Sequence, residues 1–313
     1  MSPFWHAWRK EIIRGVALFC AVLGVWLFAR YVHARIHESL ATGLPAALGE
    51  LRSAFDPEAG GAMGGHGAKH HGPRMTGAPW TYHAKVAPQQ WVWIRNTRGS
   101  ITVEPGTGDS VAVTAVKTYG SGDPASVQLV TAPYAGGIAI CAVAVGRDDQ
   151  CGPDERGYEL HGPRRSDVAV DFTVRLPRRV RFGAATIMGD VHVTGAQAPL
   201  VLHTVSGDVD AVTTGGPVSA RSVNGGVHVR ITAFGDTGAV SIVSVNGSAT
   251  AELPPQLDAD VEAHTVNGSI MTDYPLPVSA KFMAHELKGQ VGKGGRAVHI
   301  TTVNGSINLK KAL

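Results

Sequence analysis

The chain has 313 residues, of which 44% are hydrophobic, 17% are charged and 39 are glycine. This composition argues against a coiled coil and against a charge-rich disordered protein, and it favours a glycine-rich β architecture. The formal net charge of +3 is too small for a nucleic-acid-binding surface. We therefore expect no nucleic-acid partner.

The first predicted element is a membrane-spanning helix within residues 1–35. Residues 15–29 form an uncharged apolar run, and Arg14 and Arg30 lie near its ends. Long basic side chains can reach the lipid headgroups, so the extended run can cross a hydrocarbon core of about 30 Å. We expect a short cytoplasmic stub, a single pass through the bacterial inner (cytoplasmic) membrane and an extracytoplasmic C-terminal part. The alternative is a signal peptide cleaved after the small residue of Val32-His33-Ala34, which gives a secreted chain.

Residues 36–80 are predicted to form a short juxtamembrane helix followed by a flexible linker. Gly43 and Pro45 interrupt the helical pattern. The following stretch is rich in Gly and His and has little that could pack. Its histidines, which include His66, fit a solvated linker better than a metal site, because no Cys or carboxylate completes a ligand set.

Residues 81–177 are predicted to form an irregular β region. Short runs of alternating β-forming residues are punctuated by Gly, Pro and Asp. Cys141 and Cys151 enclose a short loop, and we expect them to form a disulfide if the domain is exported. Two cysteines without histidine ligands nearby make a poor zinc site.

A short unit recurs through residues 178–313, as in TVSGDV (204–209) and TVNGSI (302–307), and an outlying copy lies at residues 96–101. The unit's glycines are 16 to 22 residues apart, within the range of repeat architectures. Positions seven and five residues before the glycine are apolar in every unit, as on the buried face of a strand. The predicted turn glycines are Gly189, Gly207, Gly225, Gly247, Gly268, Gly289 and Gly305.

These columns predict an all-β fold in which a β-helix-like solenoid of about seven Gly-turn coils follows the irregular strands. Stacked coils would align Asn224 with Asn246, later joined by Asn267, in an amide ladder. The alternative is an antiparallel meander or sandwich, because Asn-Gly is also a strong hairpin signal.

We find no catalytic sequence motif and expect no cofactor. Asp190 and Asp208 share a column and could share a Ca²⁺ ion, but the column supplies no further charge, so solvated turn residues are the favoured interpretation. His264 and His285 also share a column and are the candidate metal ligands. Two imidazoles without a third ligand hold zinc poorly.

The TVNGSI and TVSGDV units, the segment ITVEPGTGDSVAV, the pair ICAVAV and CGP and the lead-in DFTVRLP resemble the bacterial putative-adhesin family of β-strand-repeat proteins. The resemblance covers residues 91–309. It implies a β-helix-like fold in a cell-envelope protein of unknown function. It implies no demonstrated activity.

The expected function is non-catalytic: a membrane-anchored binding, adhesion or envelope-scaffold module. Its expected partners are the membrane, an unidentified envelope polymer or protein, and other copies of the chain. One alternative is a carbohydrate-active enzyme, which would gather several carboxylates into one groove. The carboxylates that decide this are Glu159, Asp171, Asp190, Asp208 and Asp236. Another alternative is a partner of an envelope signalling system.

Overall fold

The computed structural model describes residues 74–146, 151–153, 166–234, 238–281 and 284–312. The predicted membrane helix and linker lie outside these residues. Within them, no helix is long and apolar enough to cross a membrane.

Every regular element in the described residues is a β-strand, apart from one 3₁₀ turn at Pro124–Ser126. This confirms the all-β prediction for that part of the chain. The strands are β1 (Met75–Thr76), β2 (Trp80–Lys85), β3 (Trp91–Arg98), β4 (Ile101–Pro105), β5 (Ser110–Tyr119), β6 (Val127–Tyr134), β7 (Gly137–Ala144), β8 (Ala169–Leu176), β9 (Arg181–Met188), β10 (Val191–Ala196), β11 (Leu200–Ser206), β12 (Val209–Thr213), β13 (Val218–Asn224), β14 (Val227–Ile231), β15 (Val240–Asn246), β16 (Ala249–Leu253), β17 (Ala259–Asn267), β18 (Ile270–Thr272), β19 (Val278–Lys281), β20 (Ala284–Val291), β21 (Ala297–Asn304) and β22 (Ile307–Lys311).

The strands are arranged in two sheets of 11 strands each in the described part of the chain. Sheet A has the order β1-β5-β8-β4-β10-β12-β14-β16-β22-β18, with β2 also paired to β5. Sheet B has the order β19-β20-β17-β21-β15-β13-β11-β9-β3-β7-β6. Each Gly-turn coil contributes one strand to sheet B, then a turn, then one strand to sheet A.

Successive coils pair in parallel and in register. Leu200 of β11 aligns with Phe182 of β9 on one side and with Val218 of β13 on the other. In sheet A, Val209 of β12 aligns in the same way between Val191 and Val227. The predicted parallel solenoid is therefore confirmed for these coils, and the antiparallel pairing about each Asn-Gly turn is excluded.

The apolar columns line one continuous core between the two sheets. Sheet B contributes residues such as Leu202 and Ile242, and sheet A contributes residues such as Val193 and Val229, each at most 1% exposed. The same core contains Phe172, from the region before the repeats. Alternate positions along each strand face this core, as the side-chain period of two requires.

The outlying unit at residues 96–101 is part of the stack. Its coil, β3 and β4, pairs in parallel with β9 and β10, so that Ile94 aligns with Ala184 and Ile101 with Val191. The boundary expected near residue 178 therefore falls inside both sheets. Gly99 occupies the turn of this additional coil.

The last coil of the chain is not the last coil of the stack. Strand β21 lies between β15 and β17, and β22 lies between β16 and β18. The C-terminal coil is therefore inserted between two coils that precede it in sequence.

The prediction that Gly289 marks a turn is wrong. Gly289 lies inside β20, which pairs antiparallel with β17 and places Gly289 opposite Val261. The buried Leu287 of this strand lies opposite Ala263. The segment therefore pairs with the edge of β17 as one continuous strand, and a continuous strand contains no turn. Strand β19 pairs antiparallel with β20 and completes this end of sheet B.

The turn glycines are required by the close approach of the coils. A Cβ atom on Gly207 would collide with the carbonyl oxygen of Gly189, and one on Gly247 would collide with the carbonyl oxygen of Gly225. Gly207 also has a φ of +151°, which disfavours any side chain. A side chain at such a turn would force neighbouring coils apart.

Candidate functional site

We call the side of the stack where each coil turns at its glycine from sheet B into sheet A the turn edge. It carries a ladder of hydroxyl groups from buried Thr and Ser residues. Each hydroxyl donates a hydrogen bond to the carbonyl oxygen of the turn glycine in the neighbouring coil. The donors are Thr186, Thr204, Ser222, Ser244, Thr302 and Thr265, and the acceptors are Gly99, Gly189, Gly207, Gly225, Gly247 and Gly305, at 2.8 to 3.3 Å. Each of these hydrogen bonds is partly shielded from water, and a carbonyl oxygen in such a place is stabilised by a protein donor. These hydroxyl groups therefore join the coils to each other.

The predicted amide ladder exists, with one more member and a different order. Asn246 Nδ2 donates to Asn224 Oδ1 at 2.8 Å, and Asn304 Nδ2 donates to Asn246 Oδ1 at 2.7 Å. Asn267 Nδ2 then donates to Asn304 Oδ1 at 2.8 Å. Asn304 separates Asn246 from Asn267 because its coil is inserted between theirs.

The aspartates of the turn edge bind backbone amides of the neighbouring coil. Asp190 Oδ1 accepts from the backbone nitrogen of Asp208 at 2.8 Å, and Asp208 Oδ1 accepts from that of Gly226 at 2.7 Å. Asp171 Oδ1 accepts from the backbone nitrogen and the hydroxyl of Ser100 at 2.9 and 2.8 Å. These three carboxylates line one edge and each has a structural partner. Glu159 and Asp236 lie outside the described residues.

The structure does not bring His264 and His285 together as metal ligands. Antiparallel pairing of β17 and β20 places His264 opposite Glu286 and His285 opposite Thr265. Adjacent residues of a strand point to opposite faces, so His264 lies on the outer face of sheet B, whereas His285 lies on the side of the buried Thr265. Within the described ranges, no three His, Cys, Asp or Glu side chains are grouped to hold a metal ion. The predicted stacking failed because it assumed a parallel coil at Gly289.

His203 is the most deeply buried histidine of the described chain, with 1% of its surface exposed. Burial, together with a smaller effect of the positive charge of Arg221, lowers the pKa of its imidazole to about 4. Arg221 lies directly beside it on β13. His203 is therefore a neutral packing residue at neutral pH.

The outer face of sheet A carries a row of polar and charged side chains, which we call the charged row: His192, Asp210, His228, Arg230 and Glu252. His228 Nδ1 lies 3.0 Å from Asp210 Oδ1, and His228 Nε2 lies 3.2 Å from Glu252 Oε1. Arg230 Nε lies 3.6 Å from the other oxygen of Glu252. Asp210 aligns with His192 on one side and with His228 on the other. Neighbouring strands of a sheet are about 4.8 Å apart, so the row presents donors and acceptors at a regular spacing.

The charged row was missed from the sequence. Its members lie three or five residues after a turn glycine, beyond the apolar column two residues after the glycine that predicts the coil. These positions are His192, Asp210 and His228 in one column and Arg230 and Glu252 in the other. Extending the columns further would have exposed them as one face of neighbouring strands.

The outer face of sheet B carries a small apolar cluster at the end near β7. Trp93 and Cys141 are fully buried there, and Trp91 packs against them with its ring 5.5 Å from that of Trp93. The structure joins Cys141 to Cys151 by a disulfide with a Cα–Cα distance of 5.7 Å. The pair expected from the sequence therefore lies within a packed cluster.

Comparison with known proteins identifies one related family. Residues 167–310 match the family model described as Toastrack DUF4097. A search of the curated proteins finds no match.

Three solved structures resemble the chain at low identity. A putative cell adhesion protein from Clostridium sporogenes is 12% identical with a TM-score of 0.45, and the match covers 75% of this chain and 100% of that chain. A putative adhesin from Bacteroides fragilis is 14% identical with a TM-score of 0.33, covering 75% of this chain and 97% of that chain. A putative adhesin from Parabacteroides merdae is 10% identical with a TM-score of 0.23, with the same coverage.

Proposed function

Because residues 167–310 match the family model described as Toastrack DUF4097, we propose that the chain is a non-catalytic binding module held at the outer side of the bacterial inner membrane. The family match agrees with the resemblance found in the sequence and names no reaction. The N-terminal apolar run supplies the proposed anchor. A Cys141–Cys151 disulfide suits an oxidising, extracytoplasmic location.

The observation that carries this proposal is that the polar groups of the turn edge bind neighbouring coils, whereas the charged row lies on the outer face of sheet A. Hydroxyl, amide and carboxylate groups of the turn edge bind the neighbouring coil. They hold the strands of sheet A in fixed register, and the charged row is therefore presented on a rigid surface. Such an array suits a hydrophilic envelope polymer whose own polar groups recur along its length.

Binding can be tested with the full chain in detergent and with purified polymer fractions of the native envelope. Replacing Asp210 with Asn and Glu252 with Gln removes both carboxylates that contact His228. We expect this double variant to weaken capture of the polymer by about tenfold or more, since interfaces depend on a few central contacts. The matched control is Glu262→Gln, which removes a carboxylate beside His299 and Lys288 on the outer face of sheet B.

Equal capture by the double variant and the control would contradict the charged row as the binding surface. Breakdown of the polymer by the chain, without stable capture, would contradict the non-catalytic proposal.

The membrane anchor has a separate test. In cells, we expect the chain to remain with the membrane after alkaline carbonate washing and its C-terminal part to be digested by protease added to spheroplasts. A mature N-terminus near Ala34 in a freely released chain would instead support signal-peptide cleavage.

A further inference from the structure

The sequence contains four Asn-Gly dipeptides, and all four lie in the amide ladder. They begin at Asn224, Asn246, Asn267 and Asn304, and all four asparagines are exposed. Asparagine is a chemically labile residue, most of all before glycine, because glycine leaves the next backbone nitrogen sterically open to attack the side-chain amide. Exposure and sequence alone therefore predict similar chemistry at all four sites.

In three of these dipeptides the glycine nitrogen is held by the neighbouring coil. Gly225 donates to the carbonyl oxygen of Asn246, Gly247 to that of Asn304, and Gly305 to that of Asn267, at 2.9 to 3.0 Å. Each of these nitrogens must break a hydrogen bond between coils before it can attack a side chain. Breaking that bond requires a local opening of the stack.

The fourth dipeptide, Asn267-Gly268, lies at the end of the amide ladder. Strand β18 is the edge strand of sheet A, and no further Gly-turn coil follows it in the described chain. Among the described residues, the Gly268 nitrogen donates no hydrogen bond and Asn267 Oδ1 accepts none. The Asn267 side chain is held on one side alone, through its bond to Asn304.

We propose that Asn267 is a site of spontaneous deamidation, selected by its position at the open end of the ladder. The deprotonated Gly268 nitrogen attacks Cγ of Asn267, a C–N bond forms, and the Cγ–Nδ2 bond breaks. The side-chain nitrogen takes up one proton from solvent, which replaces the one that the Gly268 nitrogen gave up, and leaves as ammonia; a cyclic succinimide remains. Water then opens the ring at one of its two carbonyl groups and leaves aspartate or isoaspartate at position 267.

The reaction changes the coil that contains β18, the edge strand of sheet A. The new carboxylate has no amide hydrogens to donate to Asn304 Oδ1 and places a negative charge beside that oxygen. An isoaspartate also lengthens the backbone at a turn whose glycine has no room for added atoms, since a Cβ on Gly268 would collide with the Gly305 carbonyl oxygen. Deamidation should therefore loosen β18 from β22.

The test is peptide mapping by mass spectrometry after incubation of the folded, full-length chain at mildly alkaline pH. We expect acid to accumulate at Asn267 about tenfold faster than at Asn224, Asn246 or Asn304, the factor that one hydrogen bond between coils provides. Equal rates at the four sites, or a faster rate at another site, would overturn the proposal.

The unfolded chain is the matched control. The sequence Val-Asn-Gly-Ser surrounds Asn246, Asn267 and Asn304 alike, so in concentrated urea these three sites should react at similar rates. If Asn267 remained distinctly faster in urea, its reactivity would not come from the fold, which would also overturn the proposal.

Discussion

The hydroxyl group of Ser222 donates a hydrogen bond of 2.8 Å to the carbonyl oxygen of Gly207, in the neighbouring coil of the stack. The same bond recurs from Thr204 to Gly189 and from Ser244 to Gly225. The repeated Thr or Ser of the sequence unit therefore forms a hydrogen bond between coils. The repeated glycine allows the coils to approach closely, and its carbonyl oxygen accepts that hydrogen bond.

Replacing Ser222 with Ala should destabilise the protein by about 1–2 kcal/mol, because the Gly207 carbonyl loses the hydroxyl of the buried Ser222 as its hydrogen-bond partner. Urea unfolding measures the change. Ser219→Ala, on the outer face of the same strand, is the matched control and should change stability by less than about 0.5 kcal/mol. Similar losses in both variants would show that the hydroxyl ladder does not stabilise the stack.

Gly247 and Gly289 should respond differently to alanine. A Cβ at position 247 collides with backbone, the carbonyl oxygen of Gly225, and we expect Gly247→Ala to cost about 3 kcal/mol or more. At position 289 the new Cβ would meet the end of the flexible Leu276 side chain, 2.8 Å away, which can move. We expect Gly289→Ala to cost less than about 1 kcal/mol by the same unfolding assay. If Gly289→Ala destabilised the protein more than Gly247→Ala, the assignment of Gly289 to the interior of a strand would be contradicted.

His203 should make the stability of the protein depend on pH below neutrality. Its folded-state pKa, about 4, lies below the value of 6.5 for an unperturbed imidazole. The unfolded chain therefore takes up the proton first, and stability is lost as the pH falls from about 6.5 towards 4. The full loss is roughly 3 kcal/mol.

The comparison is between the natural chain and His203→Gln, unfolded in urea at pH 7 and at pH 4.5. The loss of stability between these pH values should be smaller in the variant by roughly 2 kcal/mol. His192→Gln, which changes the exposed histidine of the charged row, should retain the loss. If His203→Gln lost as much stability as the natural chain, His203 would not be the group that titrates.

The disulfide should stabilise the end of the molecule near β7. It closes a separation of 10 residues, for which the chain-entropy model gives roughly 2–3 kcal/mol. We expect that loss in Cys151→Ser and no comparable loss in Cys20→Ser, which changes the third cysteine of the chain, in the N-terminal apolar run. Alkylation of free thiols in cells before lysis would show whether the disulfide exists in the native compartment. A chain alkylated at Cys141 and Cys151 would contradict the proposed extracytoplasmic location.

The sequence predicted the coil itself well because each column has one physical role. Leu200 and Val218 are apolar because they face the core, and position 207 is a glycine because a side chain cannot fit there. The parallel register follows from these columns, since a shift by one residue would turn the apolar face outwards.

The order of the coils could not be predicted in the same way. The units around Asn246, Asn267 and Asn304 are nearly identical, so nothing local distinguishes which of them are neighbours. Strand β21 pairs with β15 on one side and with β17 on the other, and β20 occupies the other edge of β17. The predicted stacking of His264 on His285 was wrong because β20 runs antiparallel to β17 and is not a further parallel coil.

Paired cysteines test the stacking order most directly. Adjacent strands place Asn246 beside Asn304, whereas Asn267 lies one strand further away. Neighbouring strands about 4.8 Å apart suit a disulfide, and a separation of two strands does not. In a Cys20→Ser background, we predict oxidation to a crosslink in Asn246→Cys/Asn304→Cys and none in Asn246→Cys/Asn267→Cys. A crosslink in the second pair and none in the first would contradict the inserted coil and the ladder built on it.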